Sequence, residues 1–166
     1  MKFACLTLEE RAATQMTHRL ELDASDVPAS VATNTAYTFN TAPLPLLRAG
    51  DIVKRIHMYL SVPFKNSADA AFNSTTISVG DAGSATRWVN AVQINENGTE
   101  VITTFPGATE NQVYTANSQI QVILGSMAAK SLSDLNTGKL YVLWSIDKGA
   151  DPAKTKAPPF TGGGYT

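Results

Sequence analysis

The residues of this chain best suited to chemistry are few and widely spaced. They are His18, His57, Cys5, the run Gly80-Asp81-Ala82-Gly83, and Trp88 and Trp144. A zinc site needs three or four ligands. His18 and His57 fall in strand-patterned segments, neither with an acid at ligand spacing on its own face, and Cys5 stands apart from both. As the one cysteine it forms no internal disulfide, and it reads as a small, reduced, buried residue. No G-x-S-x-G elbow marks a nucleophile. Triad partners meet only in space, so a small hydrolase stays open as an alternative. No Lys-Ser or Lys-Thr follows Gly83, which excludes a phosphate loop. Asp81 is expected to accept backbone amides and close a turn. Its alternative is a calcium site with Asp69 or Asn73. Calcium takes six or more oxygens, and no regular Asp spacing surrounds Asp81. Trp88 and Trp144 read as core anchors. On one concave face they would instead suit a carbohydrate, but one is read on a helical turn and the other within a strand. No catalytic, cofactor-binding or metal-binding residue is assigned.

Composition supports that reading. The chain has 166 residues, 43% hydrophobic and only 16% charged, with a formal net charge of −1. That length fits one domain with a proper core. The low charge leaves a surface of Thr, Ser, Asn and Gln, common on all-β proteins that meet other proteins over large areas. No basic patch provides a footprint for nucleic acid. No run approaches the ~18 apolar residues of a membrane span. The start MKFACLTLEE lacks the apolar core of a signal peptide, so folding in the cytoplasm is expected.

The elements follow from periodicity. Residues 1–16 read as an N-terminal arm or short helix, with Thr7 and Glu10 as a capping box over Thr7–Met16; a frayed terminal turn is the alternative. Neither this segment nor the tail is expected to hold a core strand. His18, Leu20 and Leu22 alternate with Arg19, Glu21 and Asp23 as a half-buried strand does. Further strands are expected at Thr35–Thr41, Ile52–Val62, Thr76–Val79, Gln112–Thr115, Gln119–Leu124 and Lys139–Asp147. The even positions of Ile52–Val62 are assigned to the core. Pro43 and Pro45 demand an extended stretch. Lys65–Ser74 reads as a long mobile loop, and Ser84–Ala91 as a short helix with Ser84 at its N-cap. Asn97-Gly98 gives a hairpin signal, and Pro106-Gly107 ends that arm. Residues 148–166, with three prolines and Gly162-Gly163-Gly164, read as a flexible tail. A body over 17–147 with about eight short strands is all-β: a β-sandwich of jelly-roll type.

Three segments carry a family resemblance: DIVKRIHMYLSVPF, TTISVGDAGSATRWVNA and KLYVLWSID. A long strand, a strand ending in S-V-G-D-x-G and a short helix with an aromatic resemble small β-sandwich structural proteins of tailed bacteriophages, over residues 17–147. The resemblance implies a head decoration, or cement, protein: not an enzyme, without cofactor, on the outer capsid surface, with the major capsid protein as partner. It implies a homo-oligomer, dimer or trimer, and no nucleic acid or membrane partner. The alternatives are a tail or fibre component and a carbohydrate-binding β-sandwich module.

Overall fold

The computed structural model describes residues 1–40, 44, 46–95, 112–127 and 129–149. The expected Asn97-Gly98 hairpin, Pro43, Pro45, Pro106-Gly107 and residues 150–166 of the tail lie outside them. Among the described residues, ten strands and one α-helix run in chain order: β1 (Lys2–Cys5), α1 (Leu8–Thr14), β2 (His18–Asp23), β3 (Tyr37–Phe39), β4 (Leu46–Leu47), β5 (Ile52–Lys65), β6 (Thr76–Asp81), β7 (Ser84–Gln93), β8 (Gln112–Val113), β9 (Ser118–Leu124) and β10 (Thr137–Asp147). One sheet has the order β1-β2-β10-β5-β8 and the other β3-β9-β6-β7, with β4 also on β9; every pairing is antiparallel. Strand β2 pairs β10, β3 pairs β9, β5 pairs β8 and β6 pairs β7. This nested pairing is one long antiparallel hairpin rolled onto itself, the order of a jelly roll.

The core lies between the sheets. Leu20 and Leu22 on β2, Ile56, Met58 and Leu60 on β5, Ile77 and Val79 on β6, Val122 and Leu124 on β9, and Val142 and Trp144 on β10 are all buried there. The expected even face of β5 holds only over Ile56–Leu60. Its register with β10 steps between Ser145↔Arg55 and Ile146↔Val53, and again between Lys139↔Val62 and Leu140↔Leu60. Each step places an extra residue on β5, and an extra residue reverses which face later side chains occupy. Val53 is therefore buried in place of Ile52, and Val62 is turned outward.

Four expectations are corrected. Ser84–Ala91 is not a helix: β7 turns back on β6 through Ala82-Gly83, with Asp81 opposite Ser84. Asp81 Oδ1 accepts the amides of Gly83 at 2.8 Å and Ser84 at 2.9 Å, the pattern of a helix cap used in a hairpin turn. Thr86, Val89 and Val92 then favour the strand. Lys65–Ser74 is ordered: Asn66 and Asp69 form a bridge, and a 3-10 turn at Ala70–Ser74 buries Phe72. Met1–Met16 carries α1 with its capping box, but it also carries β1, the edge strand paired with β2, and it buries Leu6 and Met16. Cys5 is exposed on that strand rather than buried.

Two stability experiments test this arrangement. Leu60→Ala is expected to cost about 2–4 kcal/mol in chemical denaturation, and a loss below about 0.5 kcal/mol would contradict the buried face of β5. Deleting residues 1–16 is expected to lower the melting temperature, because burial of a Leu or Met contributes about 1.5–3 kcal/mol each. An unchanged melting curve would show that β1 contributes nothing.

Candidate functional site

The polar groups with the most distinctive surroundings gather at one end of the sandwich. There β5 starts and β10 finishes, since Ile52 faces Asp147. There also the β6–β7 turn meets β9, the Ala82 amide donating to the Gln119 carbonyl. Two buried aspartates brace this end.

Asp81, only 1% exposed, is the first. Besides the turn amides it accepts Arg87 Nε on Oδ2 at 2.5 Å and the Tyr114 hydroxyl on the same oxygen. Burial pushes its carboxyl up, yet the bonds from Arg87, Tyr114 and the Ser84 and Gly83 amides outweigh burial and hold it below the usual carboxylate range. The Tyr114 hydroxyl is pushed up by burial and by the bond to this carboxylate, and stays protonated. Tyr114 lies just beyond β8, and its backbone pairs with Gly50 and Asp51 at the root of β5. The Asp81–Tyr114 bond therefore joins the two sheets.

Asp51 is the second. Its Oδ2 accepts the Arg48 amide at 2.9 Å and Lys148 Nζ at 2.8 Å, and its Oδ1 the Gly149 amide at 3.2 Å. Burial again raises its carboxyl, and these donors lower it further than burial raises it. Gly50 has φ +92°, a conformation that favours glycine, and a Cβ on Gly149 would lie 2.4 Å from the Gly50 carbonyl. The backbones on either side of this clasp thus touch.

The structure scatters the other sequence-selected residues. His18 is buried at this end beside Trp144 on β10, its Nδ1 2.7 Å from the Thr17 hydroxyl. Burial, then the charges of Lys148 and Arg11, hold its imidazole below the usual range. His57 lies half-buried on β5. Asp81 takes the turn-closing role expected of it. Asp69, the proposed calcium partner, lies before β6 at the opposite end, bound to Lys130. The side chain of Asn73 lies outside the described residues. Among the described residues no three His, Cys, Asp or Glu gather as metal ligands, and no helix is long and apolar enough to cross a membrane. Trp88 and Trp144 are both buried, which removes them as a ligand platform. Among the described residues, an aromatic pair on the outer face is instead exposed Tyr59 and half-buried Tyr141, cross-strand neighbours with ring centroids 6.2 Å apart. Alternation along β5 and β10 could have found this pair, since both positions face away from the core. The partners of Asp81 were hidden, because Tyr114 meets it only across the sandwich.

No family model matches the chain, and no curated protein matches it. A solved structure described as "Cyanophage Pam1 capsid asymmetric unit" is similar, at 22% identity and a TM-score of 0.49, over 77% of this chain and 79% of that one.

Asp81→Ala leaves Arg87 without its partner and the Tyr114 hydroxyl without its acceptor. It is expected to cost about 3 kcal/mol or more, and Tyr114→Phe about 1.5–3 kcal/mol, by urea denaturation. A neutral Tyr114→Phe would remove the bond between sheets from the stability argument.

Acid tests the same groups. The aspartates have depressed folded-state values, so their contribution is present at neutral pH and lost below about pH 4. His18 is also depressed, so the unfolded chain binds its proton first. Stability should therefore start to fall as pH drops below about 6.5. His18→Gln should flatten that upper part of a melting-temperature profile and leave the lower part intact. A profile unchanged by His18→Gln would contradict the assignment.

Proposed function

We propose that this chain is a structural protein of a phage virion, and more specifically a decoration protein that clamps major capsid subunits on the outer capsid surface as a dimer or trimer. The observation that carries the reading is where the resembling segments fall. They form β5, the β6–β7 hairpin and β10, the strands around which both sheets are built. The resembling segments thus cover the framework of the body rather than its loops, although the short helix with an aromatic that the resemblance included is strand β7, with Trp88 on it. A jelly roll with few charges supports the same role, since copies can sit side by side with little repulsion. Many equivalent lattice points would let weak individual contacts add up. The role is structural rather than catalytic.

A second reading rests on one observation. Exposed Tyr59 stacks against half-buried Tyr141 beside Lys139, whose ammonium also contacts Glu21 at 2.7 Å. Stacking rings beside polar groups suit a sugar, so a carbohydrate-binding module is the alternative.

Cryo-electron microscopy of heads assembled with and without the chain tests the proposal. Density for the jelly roll outside the capsid is the expected result. Density only in purified tails would move the chain to a tail or fibre, and absence from both would overturn the virion reading. A glycan array that lights up with the chain and goes dark with Tyr59→Ala would favour the sugar reading.

A further inference from the structure

A titratable side chain is buried where the N-terminal segment joins the body. His18, 8% exposed, opens β2. It lies between Cys5 on β1 and Trp144 on β10, opposite both in register. The connection from β1 to β2 runs through α1 and ends at Thr17. Thr17 ties that connection to β10. Its amide donates to the Trp144 carbonyl at 2.8 Å. Its hydroxyl donates to the same carbonyl at 3.1 Å and accepts the Ile146 amide at 2.9 Å. The Nδ1 of His18 lies 2.7 Å from that hydroxyl. The Thr17 carbonyl accepts the Leu6 amide at 2.9 Å, which closes the loop. Gln15 ends α1 with φ +59°, a left-handed conformation uncommon away from glycine. The loop is thus bent sharply just before its point of attachment.

The surroundings of His18 oppose a charge on its ring. Burial opposes it first, and then two cations: Lys148 from the chain after β10, and Arg11 from α1. Asp51, ahead of β5, is the anion facing it. That carboxylate is already engaged by Lys148 and by the Arg48 and Gly149 amides. Arg19, next on β2, alternates to the other face and pairs with Glu10 at 3.7 Å. We infer that His18 is an acid-sensitive latch: its protonation releases residues 6–17, with α1, from the end of β10 while the two sheets stay packed. A buried charge without a partner is costly, so the proton is accommodated by bringing the ring to water. The loop gives way rather than β2, because β2 pairs with β10 all the way from His18 to Asp23. The loop meets β10 through Thr17, the residue next to the new charge.

Hydrogen exchange of the full-length protein at about pH 7.5 and about pH 5.5, corrected for the intrinsic rate, tests the latch. A histidine that titrates near its ordinary value of about 6.5 once released favours release about tenfold between the two. Residues 6–17 are expected to lose protection by about that factor in acid, while 56–60 and 120–124 change less than about twofold. His18→Gln is expected to keep the loop equally protected at both pH values. Ring NMR of His18 in the unsubstituted chain needs no variant, and its midpoint is expected to coincide with the loss of protection at 6–17. Protection of the loop that survives acid, or is lost equally in His18→Gln, overturns the latch. Loss spread evenly through 56–60 and 120–124 is global unfolding and overturns it too. So does a His18 ring that titrates while the loop stays protected.

Discussion

The bond from the Tyr114 hydroxyl to buried Asp81 holds one end of this molecule together. Most contact between the two sheets is through apolar side chains, which favour contact but not one alignment; the Phe64 amide donating to the Ile94 carbonyl at 2.7 Å adds a second directed link at the other end. A charged carboxylate inside a protein is costly unless its lone pairs are used. Asp81 meets that requirement from three sources at once: the amides of its own turn, Arg87 on β7 and Tyr114 after β8. Because these groups belong to different sheets, one arrangement satisfies them together. Asp51 repeats the device between β5 and the chain leaving β10.

The strands that meet at this brace are regular only in part. Three register steps along β5 swap which side chains enter the core, so the strand serves the core with Val53, then Ile56–Leu60 on even positions, then Phe64. Strand β7 is irregular too. Its register with β6 steps on both sides of Val79↔Val89, and adjacent Trp88 and Val89 are both buried. Such steps increase local twist, which a sandwich rolled from one long hairpin needs.

Much of the fold was legible in the residues. Alternation placed β2, β6, β9 and β10 and the central core, from Leu20 through Ile56, Met58 and Val142 to Trp144, because a strand buried on one face must repeat every two residues. The capping box at Thr7 and Glu10 was equally local. Asp81 was identified as a turn-closing residue for the same reason, its amide donors lying two and three residues away. The segment after it was misread, since an Asp or Ser before exposed amides caps a helix and closes a hairpin by the same hydrogen bonds. Only pairing with β6 decided for the strand. The place of Met1–Met16 in a sheet, the register steps on β5 and the Tyr114–Asp81 bond were likewise decided by tertiary structure. Each depends on partners more than ten residues away in the chain, from β1 on β2 to β5 on β10, and local periodicity carries no information about which other strand a segment will meet.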